Sequence, residues 1–190
     1  PGGAYVSGPN SLNFNDGVDY DDNGQASAAS SLSPVFDLTN YTNTTMTFQC
    51  NYDSEDEQNY DIRRLRVIGA AGNLVDEQLG TANGSTLLGA CDAAGTWHAH
   101  TLTMDPNWGA ITVEFDFDSV DAMYNETSGW AIDDLKVTGT DPNSITTGGN
   151  NTGNGNTGNN GNNTGNGNTN GNTTGSGDGN AVVTLNLYEQ

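Results

Sequence analysis

Basic residues are scarce in this chain: 4 Lys and Arg stand against 24 Asp and Glu, giving a net charge of -20 over 190 residues. So negative a surface repels phosphate backbones and anionic headgroups, which need a Lys/Arg patch, and no nucleic-acid partner is expected. Long apolar runs are missing too. With no stretch of about 18 apolar residues, no membrane insertion through a helix is expected. Cysteine is limited to Cys50 and Cys91, without the CxxC or Cys/His spacing of a zinc site. A disulfide is the reading they favour, and on a chain-entropy model its loop contributes about 4 kcal/mol. Neither Met nor a signal peptide precedes Pro1-Gly2-Gly3, which suggests a processed, exported form. Sequons at Asn40, Asn43, Asn83, Asn125, Asn150, Asn162 and Asn172 suit an extracellular glycoprotein.

Helical periodicity is absent as well. Before the Gly/Asn/Thr-rich stretch, apolar residues recur with period two between Gly, Asn, Asp and Pro, which predicts an all-β domain. The clearest strands run from Thr44 to Tyr52, with Met46, Phe48 and Cys50 on one face, and from Ile111 to Phe117, with Ile111, Val113, Phe115 and Phe117 on one face. Others are expected at Ser11 to Asn15, Val35 to Leu38, Tyr60 to Ile68, Asn73 to Leu79, Thr96 to Met104 and Gly129 to Thr138. These short strands describe a two-sheet antiparallel jelly-roll sandwich whose outer faces carry the acids. Three of the four basic residues, Arg63, Arg64 and Arg66, fall in one predicted strand and are expected to pair with carboxylates in solvent.

The stretch Ser11-Leu12-Asn13-Phe14-Asn15-Asp16-Gly17, the long central strands and the closing Gly129-Trp130-Ala131-Ile132-Asp133-Asp134-Leu135-Lys136-Val137 resemble the MAM-like and concanavalin-like jelly-roll modules of exported proteins, over roughly Ser11 to Gly139. The resemblance implies a sandwich used for adhesion, carbohydrate binding or an accessory role. It also implies a calcium where the first strand meets the closing acidic pair, at Asp16 or Asp19 with Asp133 or Asp134.

Independently, Asp19-Tyr20-Asp21-Asp22-Asn23-Gly24 matches the opening of an EF-hand loop, with oxygens at Asp19, Asp21 and Asn23. Position twelve is Ser30 rather than the bidentate Glu, so the EF-hand as a whole fails and other residues must complete the shell. In a regular strand one of Asp133 and Asp134 points inward, where it needs a cation or an Arg beside it. One structural Ca2+ is therefore the expected cofactor.

His98 and His100 project from one strand face, a spacing that can hold a transition metal, but no third ligand is visible and they read as surface imidazoles. Trp130 alternates with Ile132 as core, while Trp108, in the turn Asp105-Pro106-Asn107-Trp108-Gly109, is the more exposed indole, either a cap over the sandwich edge or the candidate sugar contact. Acidic pairs are too numerous to single out a glycosidase dyad, and no nucleophile motif is present. The chain is expected not to be an enzyme.

The organisation is thus a sandwich over residues 1–140, a tether over 141–180 and a terminal strand over 181–190. From Thr146 to Asn180 glycine recurs among Asn and Thr, with too little apolar surface to fold. As a coil that length spans on the order of 30 Å, and fully extended about 110 Å. Ala181-Val182-Val183-Thr184-Leu185-Asn186-Leu187-Tyr188-Glu189-Gln190 then reads as a strong strand with Val183, Leu185 and Leu187 on one face. Left bare, such a segment is an aggregation hazard, so a partner sheet is expected, its own or a neighbour's. The second is donor-strand complementation, and head-to-tail repetition of it builds a filament from copies of the chain. The competing expectation is a carbohydrate-binding or adhesive module.

Overall fold

The computed structural model describes residues 5–8, 11–15, 18–21, 24–55, 59–80, 87–91, 94–142 and 180–184, the last for backbone pairing alone. Ten strands are formed among the described residues: β1 (Leu12–Phe14), β2 (Ala28–Leu32), β3 (Phe36–Asp37), β4 (Thr42–Asp53), β5 (Ile62–Gly69), β6 (Gly72–Gln78), β7 (His98–Thr103), β8 (Ala110–Asp118), β9 (Gly129–Thr140) and β10 (Asn180–Thr184). A single 3-10 turn, Pro106–Trp108, is the one helical element among the described residues, and Asp105 caps it by accepting from the Asn107 amide.

One sheet has the order β1-β9-β4-β7 with β10 also on β9, and the other has the order β2-β8-β5-β6 with β3 also on β8. All pairs are antiparallel. First pairs with last: β1 with β9, β2 and β3 with β8, β4 with β7 and β5 with β6. That nesting is the jelly roll expected from the alternation.

β4, β5 and β8 bury every second residue, as a sheet with one wet face must. Met46, Phe48, Cys50 and Tyr52 of β4 face Ile111, Val113, Phe115 and Phe117 of β8, and all are buried. Phe48 meets Phe115 edge-on at 5.2 Å and Phe115 meets Trp130 at 5.9 Å, so aromatic contacts tie the sheets together. Trp130 is fully buried, as its alternation with Ile132 predicts. Outside, Arg66 of β5 bridges Glu114 and Asp116 at 2.5 and 2.7 Å, and Arg64 reaches Asp76 at 3.4 Å, so these two cations behave as the sequence suggests.

Three expectations are corrected. Arg63 is not a surface cation. It alternates with Leu65 and Val67 on the inner face, is 1 % exposed, lies over the Tyr52 ring at 4.0 Å and donates to Ser54 Oγ and Glu55 O. His100 is likewise buried rather than a surface imidazole, because its face of β7 is the inner one. Trp108, by contrast, keeps to expectation, half-buried against the core and less covered than Trp130. Asn125 is 1 % exposed and its Nδ2 donates to the Asp121 carbonyl at 2.9 Å, so in the folded domain this sequon offers no free amide, whereas Asn40 and Asn43 are exposed.

Candidate functional site

The long closing strand β9 organises the site. β4 covers one of its edges from Gly129 to Thr140. The other edge is shared: β1 pairs with Trp130, Ala131 and Ile132, and β10 with Lys136 through Thr140. Asn180 sits opposite Thr140, Ala181 opposite Gly139 and Val183 opposite Val137. The strand expected at 181–190 is therefore paired over its first half, while Leu185 and Leu187 lie outside the described residues, as does the tether 143–179.

Beside this edge lies an apolar cleft of about 260 Å³ lined by Val35, Phe36, Leu38, Tyr41, Val137 and Gly139 among others. Val35 is 67 % exposed there, although it is apolar. Gly139 is required by close approach: an added Cβ would stand 2.8 Å from Tyr41 Cβ and 3.1 Å from Thr44 Cγ2. The C-terminal half of β9 thus combines a pairing edge with an adjoining apolar recess.

Between the two shared portions, β9 is irregular. Thr47 pairs with Lys136 and Gln49 with Asp133, so three steps on β9 answer two on β4, which is a bulge. Asp134 adopts a φ of 53° in it. The bulge resets the alternation, so Trp130 and Ile132 before it and Leu135 and Val137 after it all reach the core.

Neither member of the acidic pair then points inward, against the expectation for a regular strand. Asp133 is buried instead under residues 5–8: its Oδ2 accepts from the Val6 and Ser7 amides at 2.7 and 3.0 Å, and its Oδ1 from the Asp134 amide at 2.7 Å. Asp134 accepts from Ser7 Oγ. Three amides meet the need for which a cation or an Arg was expected. We expect Asp133→Ala to cost about 1–3 kcal/mol through lost charge-assisted bonds, with faster hydrogen exchange at Val6 and Ser7 as the local signature. Unchanged exchange at those amides would mean that the segment is held by something else.

The residues of the expected calcium shell are spread out. Asp19 and Asp21 line a cleft with Phe14, Asn15 and Phe117 near the Trp130 end of the β1 pairing. Asp133 lies three residues further along β9, roughly 10 Å away by strand rise. Asp16 and Asn23, like the sequons at Asn83, Asn150, Asn162 and Asn172, lie outside the described residues.

Among the described residues, the group of His, Cys, Asp or Glu side chains close enough to share one ion is Cys50, Cys91 and His100, whose ligating atoms lie within 4.8 Å of one another. The cysteines form the expected disulfide, which ties β4 to the segment between β6 and β7. His100 Nε2 is 3.0 Å from Cys50 Sγ, its Nδ1 is 3.1 Å from the Leu88 carbonyl, and its ring stacks on Phe48 at 4.9 Å. Burial holds the imidazole below its ordinary pKa and so keeps it neutral.

A second buried polar cluster, missed in the sequence, lies just ahead of β5. Asp61, 2 % exposed and at a φ of 50°, accepts from the Tyr20 hydroxyl and the Glu55 amide, both at 2.5 Å. Tyr20 also donates to the Tyr124 carbonyl at 3.2 Å. Burial raises the Asp61 carboxyl to about 6, and burial together with Asp61 drives the Tyr20 hydroxyl far above its usual value. The only sequence signal for this cluster is the step from Asp61 into a strand whose next inward residue is Arg63.

Comparison with protein-family models and with curated protein sequences finds no match.

Proposed function

We propose that the chain is the repeating subunit of an extracellular filament, in which the terminal strand of one copy pairs with β9 of the next. One observation carries this reading: β10 starts opposite the residue at which β9 ends, although Asn180 and Thr140 are separated by the whole tether. Antiparallel neighbours in one chain need only about 2–5 connecting residues. A connector of residues 141–179 adds about 2 kcal/mol of closure entropy over a short turn when it returns to its own edge. Its length has a use when the strand reaches another copy, which presents the same edge and the same recess.

The contact is heterologous, edge to tail, so repetition gives an open polymer. The net charge keeps the sides of such a polymer from sticking to one another. A carbohydrate-binding role gains less support, because Trp130 is buried and Trp108 is packed against the core.

The experiment compares three chains by electron microscopy and light scattering: intact, lacking Ala181 to Gln190, and lacking residues 146–175. We expect filaments from the intact chain and monomers from the truncation. The shortened tether should also give monomers, because it can still fold back but cannot reach a neighbour. Monodisperse intact protein at every concentration, or filaments from the chain without the strand, would sink the proposal.

A further inference from the structure

The cluster around His100 has a donor set that strand exchange does not use. A carbonyl can only accept, so the 3.1 Å contact with Leu88 O places the imidazole proton on Nδ1. The Nε2 lone pair is thereby aimed at the sulfurs, 3.0 Å from Cys50 Sγ. Metal-ligating histidines are oriented in this way, with the distal N–H held by a carbonyl or a carboxylate. Stacking on Phe48 at 4.9 Å fixes the ring plane. All three residues are buried, and both cysteines belong to the hydrophobic core.

A further donor stands near. His98 is opposite Cys50 in the β4–β7 register, and its Nε2 is buried without a hydrogen-bond partner.

We propose that, in the reduced chain, Cys50 Sγ, Cys91 Sγ and His100 Nε2 form a buried site for a thiolate-preferring ion of the zinc(II) class, and that disulfide formation closes it. While the sulfurs are bonded to each other they are not thiolates and do not ligate. Two equivalents of a thiol reductant transfer two electrons and two protons to the S–S bond, giving two cysteine thiols and the reductant's disulfide. The incoming ion displaces the two thiol protons to solvent, and neutral His100 supplies its lone pair without a change of protonation. Two soft sulfurs and one imidazole match zinc's preference over calcium's, and a fourth ligand would have to come from solvent or from a shift of His98, the residue opposite Cys50. Exchange with a small-molecule disulfide reverses the step: the oxidant takes two electrons and two protons to become two thiols, the Cys50–Cys91 bond re-forms and the ion leaves, so one pair of cysteines serves metal binding or crosslinking according to redox state.

The test titrates Co2+ into the intact chain, anaerobically, after reduction with a phosphine and in parallel without it. One equivalent should bind to the reduced chain with a thiolate-to-metal charge-transfer band, and none to the disulfide form. His100→Phe, which keeps a ring on Phe48, should weaken binding by at least about tenfold. His100→Gln gives the same comparison if the Phe variant does not fold. The proposal is overturned by a reduced chain without the charge-transfer band, by equal affinity in the His100 variants, by equal binding to the disulfide form, or by loss of the fold on reduction even with Co2+ present.

Discussion

Replacing Gly129 with Ala should destabilise the domain by about 2–5 kcal/mol, a large effect for a single added methyl group. Two costs coincide at this position. Gly129 opens β9 with a φ of 76°, a left-handed conformation that a Cβ disfavours. An added Cβ would also stand 2.6 Å from the Phe14 carbonyl oxygen and 3.3 Å from the Tyr20 ring. The first contact is with backbone in a paired strand, so relief requires β1 to shift against β9. Tyr20 cannot withdraw freely either, since its hydroxyl is held by Asp61. Urea unfolding with fluorescence detection measures the loss, and a variant within about 0.5 kcal/mol of the native protein would mean that β1 and the Tyr20 loop are not seated against β9.

The second large effect is a dependence on pH. The Asp61 carboxyl lies at about 6 in the folded chain against an ordinary 3.8, so the folded state binds the extra proton between those values. The raised value means that stability falls as pH rises through that window and is highest below it. By linkage the native domain should gain about 2 kcal/mol between pH 7 and pH 4, measured by urea midpoints across the range. Relief of self-repulsion in so acidic a chain acts in the same direction, and Asp61→Asn separates the two. Asparagine tolerates the positive φ and its Oδ1 can accept from Tyr20 and Glu55, but it does not ionise. That variant should keep only the shallow charge-repulsion slope, with a stability at pH 7 no lower than native. A native domain that grows more stable as pH rises from 4 to 7, or a variant with the native slope, would show that Asp61 is not the group responsible.

How far the sequence foretold these sites depended on what each residue faces. Period-two alternation in Met46–Phe48–Cys50 and Ile111–Phe117 marks strands because both are buried on one face only, and the nested order follows once the strands are found. β2 escaped notice because Ala28-Ala29-Ser30-Ser31-Leu32 is an edge strand with little apolar contrast, and its place is set by pairing with β8. Arg63 and His100 obeyed the alternation all along. Their polarity argued for the surface, and it takes partners from other segments to make the interior tolerable: the Tyr52 and Phe48 rings of β4, Ser54 and Glu55 for Arg63, and the Leu88 carbonyl for His100.

The acidic pair shows the opposite failure. Strict alternation would send one of Asp133 and Asp134 inward, but a bulge is a local change of count that period-two reading does not contain. The amides that bind Asp133 come from far upstream, with a sequence separation of 127 for Val6, so no spacing in the sequence announces them. Asp61 and Tyr20 meet across 41 residues in the same way.

The first-with-last pairing also sets an order of events. β1 cannot close its sheet until β9 has been synthesised, so the chain must wait through most of its length before its longest-range contacts form, and folding of such a topology is slow. The edge that receives β10 is built from that same late strand. A half-made chain therefore has no acceptor to offer, and under the proposed strand exchange copies emerging side by side would not capture one another's tails prematurely. Competence to polymerise would arrive with completion of the fold, a timing control written into strand order alone.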